Sequence, residues 1–516
     1  MLPDDFKNLD FGAPAAERDI THGLQDYFVE SDAFRRVSEG KKTIILGNRG
    51  AGKSAIFKII AQRKRHAGAF VLELSPEDYS YEMLSRLMVS EKKGAWAKHG
   101  AYASAWKYLI YVQVMKGLST SGPKLKTGAA AKIYNYLRDH HAGSQENPIG
   151  ILVSYLKRIE GVKVGTYEAA FKTQELSRLY KLDEILELLP ALSELCDRRR
   201  VTVLVDELDR GWDASEDSKS FVAGLFQACV SINELIPNLR VYVSLRRELY
   251  DSIPALYEDA QKYRDIIEVI AWDEPELLAL VAKRIRYSVP MLERTDDKYS
   301  WNAVFAETLD YRRAKSFNYL IDRTLYRPRE IIQFCTDAAS DAQKTTAWPI
   351  NYSVISRAEL TYSEARSKDI AAEYRFQYPG LLSIFEVFRG QAYTFARSEL
   401  ELTCLGITTG EFRIDEEASW VLDQDPDFLI DVLWRIGFLR AQAVGGVKAL
   451  RRSGSSYLGP HQVASLNLRN VGRFHVHPMF RSYLGMKEAR GGSDEQEYGS
   501  EHGSAPSAEE PIASKD

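Results

Sequence analysis

The chain has 516 residues, enough for two to four domains, with 45% hydrophobic and 27% charged residues and a net charge of −4. That balance excludes a globally basic nucleic-acid binder, and no apolar run approaches the roughly 20 residues a membrane helix requires. The cysteines Cys196, Cys229, Cys335 and Cys404 are dispersed and form no CxxC pair, which argues against a disulfide framework or a zinc site. With a polar, acidic start that lacks a signal-peptide pattern, the expectation is a cytoplasmic protein.

Thr43 to Leu46 read as a short buried strand, and Ser54 to Ile60 as the start of an amphipathic helix. Between them Gly47, Gly52, Lys53 and Ser54 fit G-x-x-x-x-G-K-[ST]. Glycines let the backbone take positive φ and let amides approach a ligand without a Cβ in the way. The amides of Gly47, Asn48, Arg49, Gly50, Ala51, Gly52 and Ala55 would then cradle phosphate at a helix start. Lys53 is expected to reach the β- and γ-phosphates, and Ser54 to ligate Mg²⁺.

A second strand is expected at 69–74, followed by a helical insertion over 76–195. Within it Tyr102, Trp106, Leu109 and Ile110 fall at i, i+4, i+7 and i+8. The insertion is read as a partner or effector surface, the alternative being packing for a large sheet.

Val201 to Val205 is an apolar run of strand length ending in Asp206-Glu207. An acid at the carboxyl end of a parallel strand lies beside the phosphate loop in doubly wound sheets. Asp206 is therefore the candidate Mg²⁺ residue and Glu207 the candidate to polarise an attacking water. Strands at 239–245 and 265–272 complete a five-stranded parallel α/β sheet. Arg246, just past the fourth, is a candidate γ-phosphate sensor or an ordinary surface arginine.

The core is thus expected over 29–75 and 196–275, with 1–28 near the nucleotide, a helical lid over 276–345 and a helical connector over 346–395. Pro328 suits the first position of a helix, so Arg327 and Arg329 flank its start, where the dipole disfavours cations. Either is a candidate lid residue reaching the nucleotide, or both pair with nearby acids.

Ten acids lie between 399 and 431, and from 435 to 487 the balance inverts to bases alone. Helices followed by a strand at "RFHVHP" (473–478) suggest a winged-helix domain over 396–487, with Gly445-Gly446 and "RRSGSSYLGP" at the wing. Its basic residues Arg435, Arg440, Lys448, Arg451, Arg452, Arg469, Arg473, Arg481 and Lys487 are a candidate DNA surface. The alternative is docking on the acidic half or the acidic tail. His475 and His477 share a strand face but make a poor metal site. Residues 488–516 are polar, acidic and expected to be disordered.

"FGAPAAERD" (11–19), "GNRGAGKSA" (47–55), "DELDRGWD" (206–213), "SLRRELYDSIP" (244–254), "RPREIIQFC" (327–335) and "HPMFRSYL" (477–484) occur in this order. Together they resemble a family of bacterial P-loop ATPases bearing the DELDRGWD signature, related to the AAA+ and STAND ATPases. The resemblance implies an ATP- and Mg²⁺-dependent ATPase core with a helical lid and a winged-helix C-terminus. It implies Lys53, Glu207, Arg246 and Arg329 as catalytic residues, Ser54 and Asp206 as metal residues, and adenine near Phe11 and Gly12. It further implies a nucleotide-dependent homo-oligomer or effector partner, and a setting in bacterial defence against phage and mobile DNA. Three readings stay open: an ATPase motor, an ATP-gated switch and a DNA-binding regulator.

Overall fold

The computed structural model describes residues 6–75, 95–120, 127–141, 183–209, 212–257, 263–442, 457–463 and 466–488. Two compact units result, one formed by Ala15–Ala271 and the other by Met1–Pro14 with Trp272–Asp516.

The first unit is built on a five-stranded sheet of β1 (Ile44–Leu46), β2 (Phe70–Leu74), β3 (Val201–Val205), β4 (Leu239–Leu245) and β5 (Ile267–Val269). The order is β2-β3-β4-β1-β5 and every pairing is parallel. β1 and β3 are buried along their whole length, as expected for parallel strands covered on both faces. The register sets Leu46 beside Leu245 and Val205 beside Val243, so β4 stands between the loop after β1 and the acids after β3.

The helix Lys53–His66 turns Ile56, Phe57, Ile59 and Ile60 into the core and ends in Arg63, Lys64 and Arg65, which suit the negative end of its dipole. The helix Glu216–Leu235 starts at Ser215, whose hydroxyl accepts from the Ser218 amide at 3.2 Å.

Across that helix lies Ala95–Thr120, the first helix of the expected insertion. Tyr102, Trp106, Leu109 and Ile110 are all buried in the same core as the sheet. The Trp106 indole donates to the Phe221 carbonyl at 3.1 Å, with the two rings 4.7 Å apart. Gly224 permits this approach: a Cβ there would stand 2.7 Å from the Ala103 amide nitrogen. Burial of these large side chains contributes about 1.5–3 kcal/mol each. The described first part of the insertion is therefore core packing, not an outlying partner surface. Residues 76–94 and 142–182 of it lie outside the described residues.

The second unit begins with the helix Glu274–Ser288, whose capping box joins Asp273 and Glu276. The helices Pro328–Thr345 and Tyr352–Glu373 follow and pack together, with Phe334 stacked on Tyr362 at 4.3 Å. The segment before Pro14 belongs to this unit. Gln343 donates to the Leu9 carbonyl at 3.1 Å, and Ser288 donates to the Asn8 carbonyl at 3.0 Å. Phe11 is buried, its ring 6.5 Å from that of Phe305. The Phe11 ring itself is thus held in the helical core of this unit.

The last part of this unit carries an antiparallel sheet in the order β6-β9-β7-β8, from Thr394–Ala396, Arg473–Val476, Leu439–Gln442 and Tyr457–Leu458 respectively. β6, whose Thr394 and Phe395 were assigned to the connector from sequence, is an edge of this sheet. The helices Leu381–Val387, Arg397–Thr408 and Pro426–Arg435 accompany it. Residues 443–456, where a wing is expected, lie outside the described residues, and with them Gly445, Gly446, Lys448, Arg451 and Arg452. Among the described residues, no helix is long and apolar enough to cross a membrane.

Candidate nucleotide site

The loop after β1 leaves the sheet at Gly47, whose amide donates to the Leu245 carbonyl at 3.3 Å. A Cβ on Gly47 would lie 3.2 Å from that of Ala51 and 3.4 Å from that of Ile270. Gly50 and Gly52 take positive φ of 81° and 96°, a conformation that side chains rarely adopt. The loop thus folds back on itself, and the Lys53 ammonium donates to the carbonyls of Gly47 at 2.7 Å and Asn48 at 3.0 Å. Asn48, Arg49, Ser54 and Ala55 are half-buried along its course. Burial lowers the Lys53 pKa, against the opposing pull of Glu248, Asp206 and Asp209.

β3 delivers its acids two strands away. Asp206 Oδ1 accepts the Ser244 hydroxyl at 2.5 Å and the Glu207 amide at 2.9 Å. Ser244 is 1% exposed and stands at the end of β4, so the strand between loop and acids also fixes the carboxylate. Glu207 holds a φ of 60°, a left-handed conformation that costs a non-glycine residue about 1–3 kcal/mol.

The rest of DELDRGWD divides between charge and framework. Leu208 and Trp212 are buried. Asp209 pairs with Arg246. Asp213 accepts from the Ser218 hydroxyl and, at 3.0 Å, from the Ser215 amide. Burial raises the Asp213 pKa, but these bonds outweigh it and hold the carboxyl below its usual range.

Sequence reasoning missed Glu248. Its side chain is 8% exposed, with a carboxylate oxygen 3.9 Å from the Arg246 guanidinium. Among the acids it acts most strongly on Lys53. The available signal was positional: it lies two residues beyond Arg246, where the chain leaves β4.

The two candidate lid arginines separate. Arg327 is buried and pairs with Glu373 at 2.7 Å and Glu330 at 3.7 Å. Burial opposes its charge, but these acids hold the guanidinium above its ordinary range. Both partners belong to its own unit, in line with the alternative of pairing with nearby acids. Arg329 is half-buried, and its Nε donates to the Pro14 carbonyl at 3.3 Å.

Of the nine bases, four are engaged within their own unit and three lie outside the described residues. Arg435 pairs with Asp431, and Arg469 lies 3.7 Å from Asp427. Arg440 is buried 3.6 Å from Asp322, and Arg481 sits 3.8 Å over the Tyr393 ring. Arg473 and Lys487 are exposed. Arg435 and Arg469 thus meet acids of the 399–431 segment, the alternative the sequence offered, while remaining 61% and 80% exposed. His475 and His477 are both buried, and among the described residues no cluster of His, Cys, Asp and Glu is arranged to hold a metal ion.

Residues 275–371 match the FunZ-associated C-terminal helical domain, which runs past the expected lid into the helix Tyr352–Glu373. The chain is 26% identical over 492 residues to the putative transposon gamma-delta 80.3 kDa protein of Escherichia coli (strain K12), covering 93% of this chain and 67% of that one. It is 29% identical over 147 residues to Allergen Alt a 2 of Alternaria alternata, covering 28% of this chain and 73% of that one. Among solved structures it is similar to the Aeropyrum pernix ORC2 protein (ADPNP-ADP complexes), with a TM-score of 0.34 and 11% identity over 90% of this chain and 92% of that one. The chain is therefore a mixed α/β protein with a parallel five-stranded sheet that carries a FunZ-associated C-terminal helical domain.

Proposed function

We propose that the chain is a Mg²⁺-dependent P-loop ATPase that couples ATP binding and hydrolysis to a change of shape or assembly. The observation that carries this reading is the bond from Ser244 to Asp206, which fixes an acid at the end of β3 across β4 from the Lys53 loop. The residues suit the ligands. A Cβ on Gly47 would be tightly placed, Gly50 and Gly52 hold left-handed turns, and Lys53 supplies a half-buried cation. Ser54 and Asp206 would hold Mg²⁺. Few protein ligands are needed there, since Mg²⁺ keeps waters and phosphate oxygens in its shell.

When bound, Mg²⁺ supplies charge neutralisation across the phosphates. The loop amides bind and orient the triphosphate, and Lys53 exchanges the carbonyls of Gly47 and Asn48 for phosphate oxygens. Glu207 orients a water and takes its proton as the oxygen bonds to the γ-phosphorus, while the bond to the β,γ-bridging oxygen breaks and ADP leaves with that oxygen. Arg246 contacts the γ-phosphate, and Arg329 is the remaining lid candidate. Positioning and charge do most of the work in phosphoryl transfer. The test is Mg²⁺-ATP turnover by the wild type, Lys53→Ala and Glu207→Gln. Loss of turnover in both, with nucleotide still bound by Glu207→Gln, supports the reading, and turnover unchanged in both ends it.

The setting we propose is mobile DNA. The family resemblance implies defence against it, and the name of the Escherichia coli relative suggests carriage upon it. Phage challenge of cells carrying wild type or Lys53→Ala tests the first, equal plaque counts counting against it. A homo-oligomer completing the site predicts turnover per subunit that rises with protein concentration, and a flat rate contradicts it.

A further inference from the structure

We propose that Asp209 and Glu248 act as internal place-holders for phosphate on Arg246, so that only a triphosphate draws the guanidinium away and thereby reports the γ-phosphate to the loop 206–213. The inference rests on the nucleotide reading above and adds two positioning residues to it.

Arg246 is the first residue beyond β4, the strand between the phosphate loop and the acids. Its guanidinium pairs with Asp209 from the loop after β3 and lies 3.9 Å from Glu248 in the short helix Arg247–Asp251. The three side chains are 21%, 24% and 8% exposed, so water screens them only in part. Two carboxylates, those of Asp209 and Glu248, thus face the one guanidinium of Arg246 among the described residues. Arg246 is therefore satisfied before any nucleotide arrives. A phosphate matches a carboxylate as a guanidinium partner in both charge and fork geometry, so the two compete for one site. A diphosphate lacks the group that would compete.

Release of Asp209 has a route outward. The Trp212 amide donates to the Asp209 carbonyl at 3.3 Å, Trp212 is buried, and Asp213 one residue on anchors the start of the helix Glu216–Leu235. Residues 206–209 and 212–213 of this motif thus carry both the acid placed for the metal and the acid on the sensor.

The test is calorimetric titration of a non-hydrolysable Mg²⁺-ATP analogue and of Mg²⁺-ADP. The proteins are the wild type, Asp209→Asn, Glu248→Gln, Arg246→Ala and the double variant Arg246→Ala/Asp209→Asn. Weakening the clamp raises the triphosphate-to-diphosphate affinity ratio about fivefold in Asp209→Asn, the upper end for a partly exposed ion pair. Glu248→Gln shifts it the same way. Arg246→Ala lowers it, and the double variant matches Arg246→Ala alone. A ratio unchanged or lowered in both acid variants overturns the inference, as does an Asp209→Asn effect that persists without Arg246. Failure of the wild type to bind either nucleotide overturns the nucleotide reading itself and is told apart on that ground.

Discussion

Ser244→Ala removes one hydroxyl and tests whether the sheet aims its acid. The Ser244 hydroxyl donates to Asp206 Oδ1 at 2.5 Å from a position 1% exposed, leaving the Glu207 amide as the remaining donor to that oxygen. A hydrogen bond to a charged group contributes about 1.5–3 kcal/mol. Loss of a partner that orients a metal-binding side chain costs about 10–100-fold in metal affinity or activity. The variant is expected to need about ten times more Mg²⁺ for half-maximal turnover, with melting shifted by only a few degrees. The assay is phosphate release against Mg²⁺ concentration at saturating ATP. A Mg²⁺ curve that superimposes on the wild type refutes the claim that Ser244 positions the metal acid.

Gly224→Ala sets helix propensity against packing. Propensity alone gains about 1 kcal/mol, but the new Cβ meets the Ala103 amide nitrogen at 2.7 Å. Net destabilisation of about 1–3 kcal/mol in urea is expected, and a more stable variant contradicts the helix contact. Glu373→Gln leaves Arg327 buried with a weaker partner, so about 3 kcal/mol of stability is lost; an accompanying change in nucleotide affinity after correction for folding would contradict a purely internal role. His477 is fully buried, and its pKa is lowered well below the usual 6.5 by burial, then by Arg440, His461, Arg481 and Arg323. Above about pH 6.5 it is neutral folded or unfolded. As the pH falls below that, the unfolded chain takes up a proton that the native state refuses. Stability therefore drops by about 1.4 kcal/mol per unit below that pH. Urea midpoints measured from pH 7 to 5 check this. Buried His461, its pKa pushed down to about 3, adds a slope of the same sign. His477→Asn therefore makes the slope shallower by about 1.4 kcal/mol per unit without abolishing it, and an equally steep slope in that variant contradicts the argument.

The phosphate loop and the acids after β3 were legible because their chemistry is local. Glycines must stand where φ is positive, and an apolar run of strand length marks a buried strand wherever it lies. Pairings between distant residues left no such trace. Arg327 and Arg329 flank the same proline, and only folding shows that Glu373 claims the first. Glu248 gains its meaning from β4 lying beside β1, which strand spacing does not specify. The helical spacing of Tyr102, Trp106, Leu109 and Ile110 does not say what they meet, and in the fold Tyr108 to Val112 are buried without a break while Trp106 meets Phe221. Within the basic block, the pairing of buried Arg440 with Asp322 is of this kind, since the two lie far apart in sequence.

The most direct test of the central claim is titration of ATP into wild type and Asp206→Asn, each with Mg²⁺ and with EDTA. The account predicts that the wild type binds more tightly with Mg²⁺ and that Asp206→Asn loses most of this gain while still binding ATP. Equal enhancement by Mg²⁺ in both proteins would contradict it, because Asp206 would then not be the acid that meets the metal.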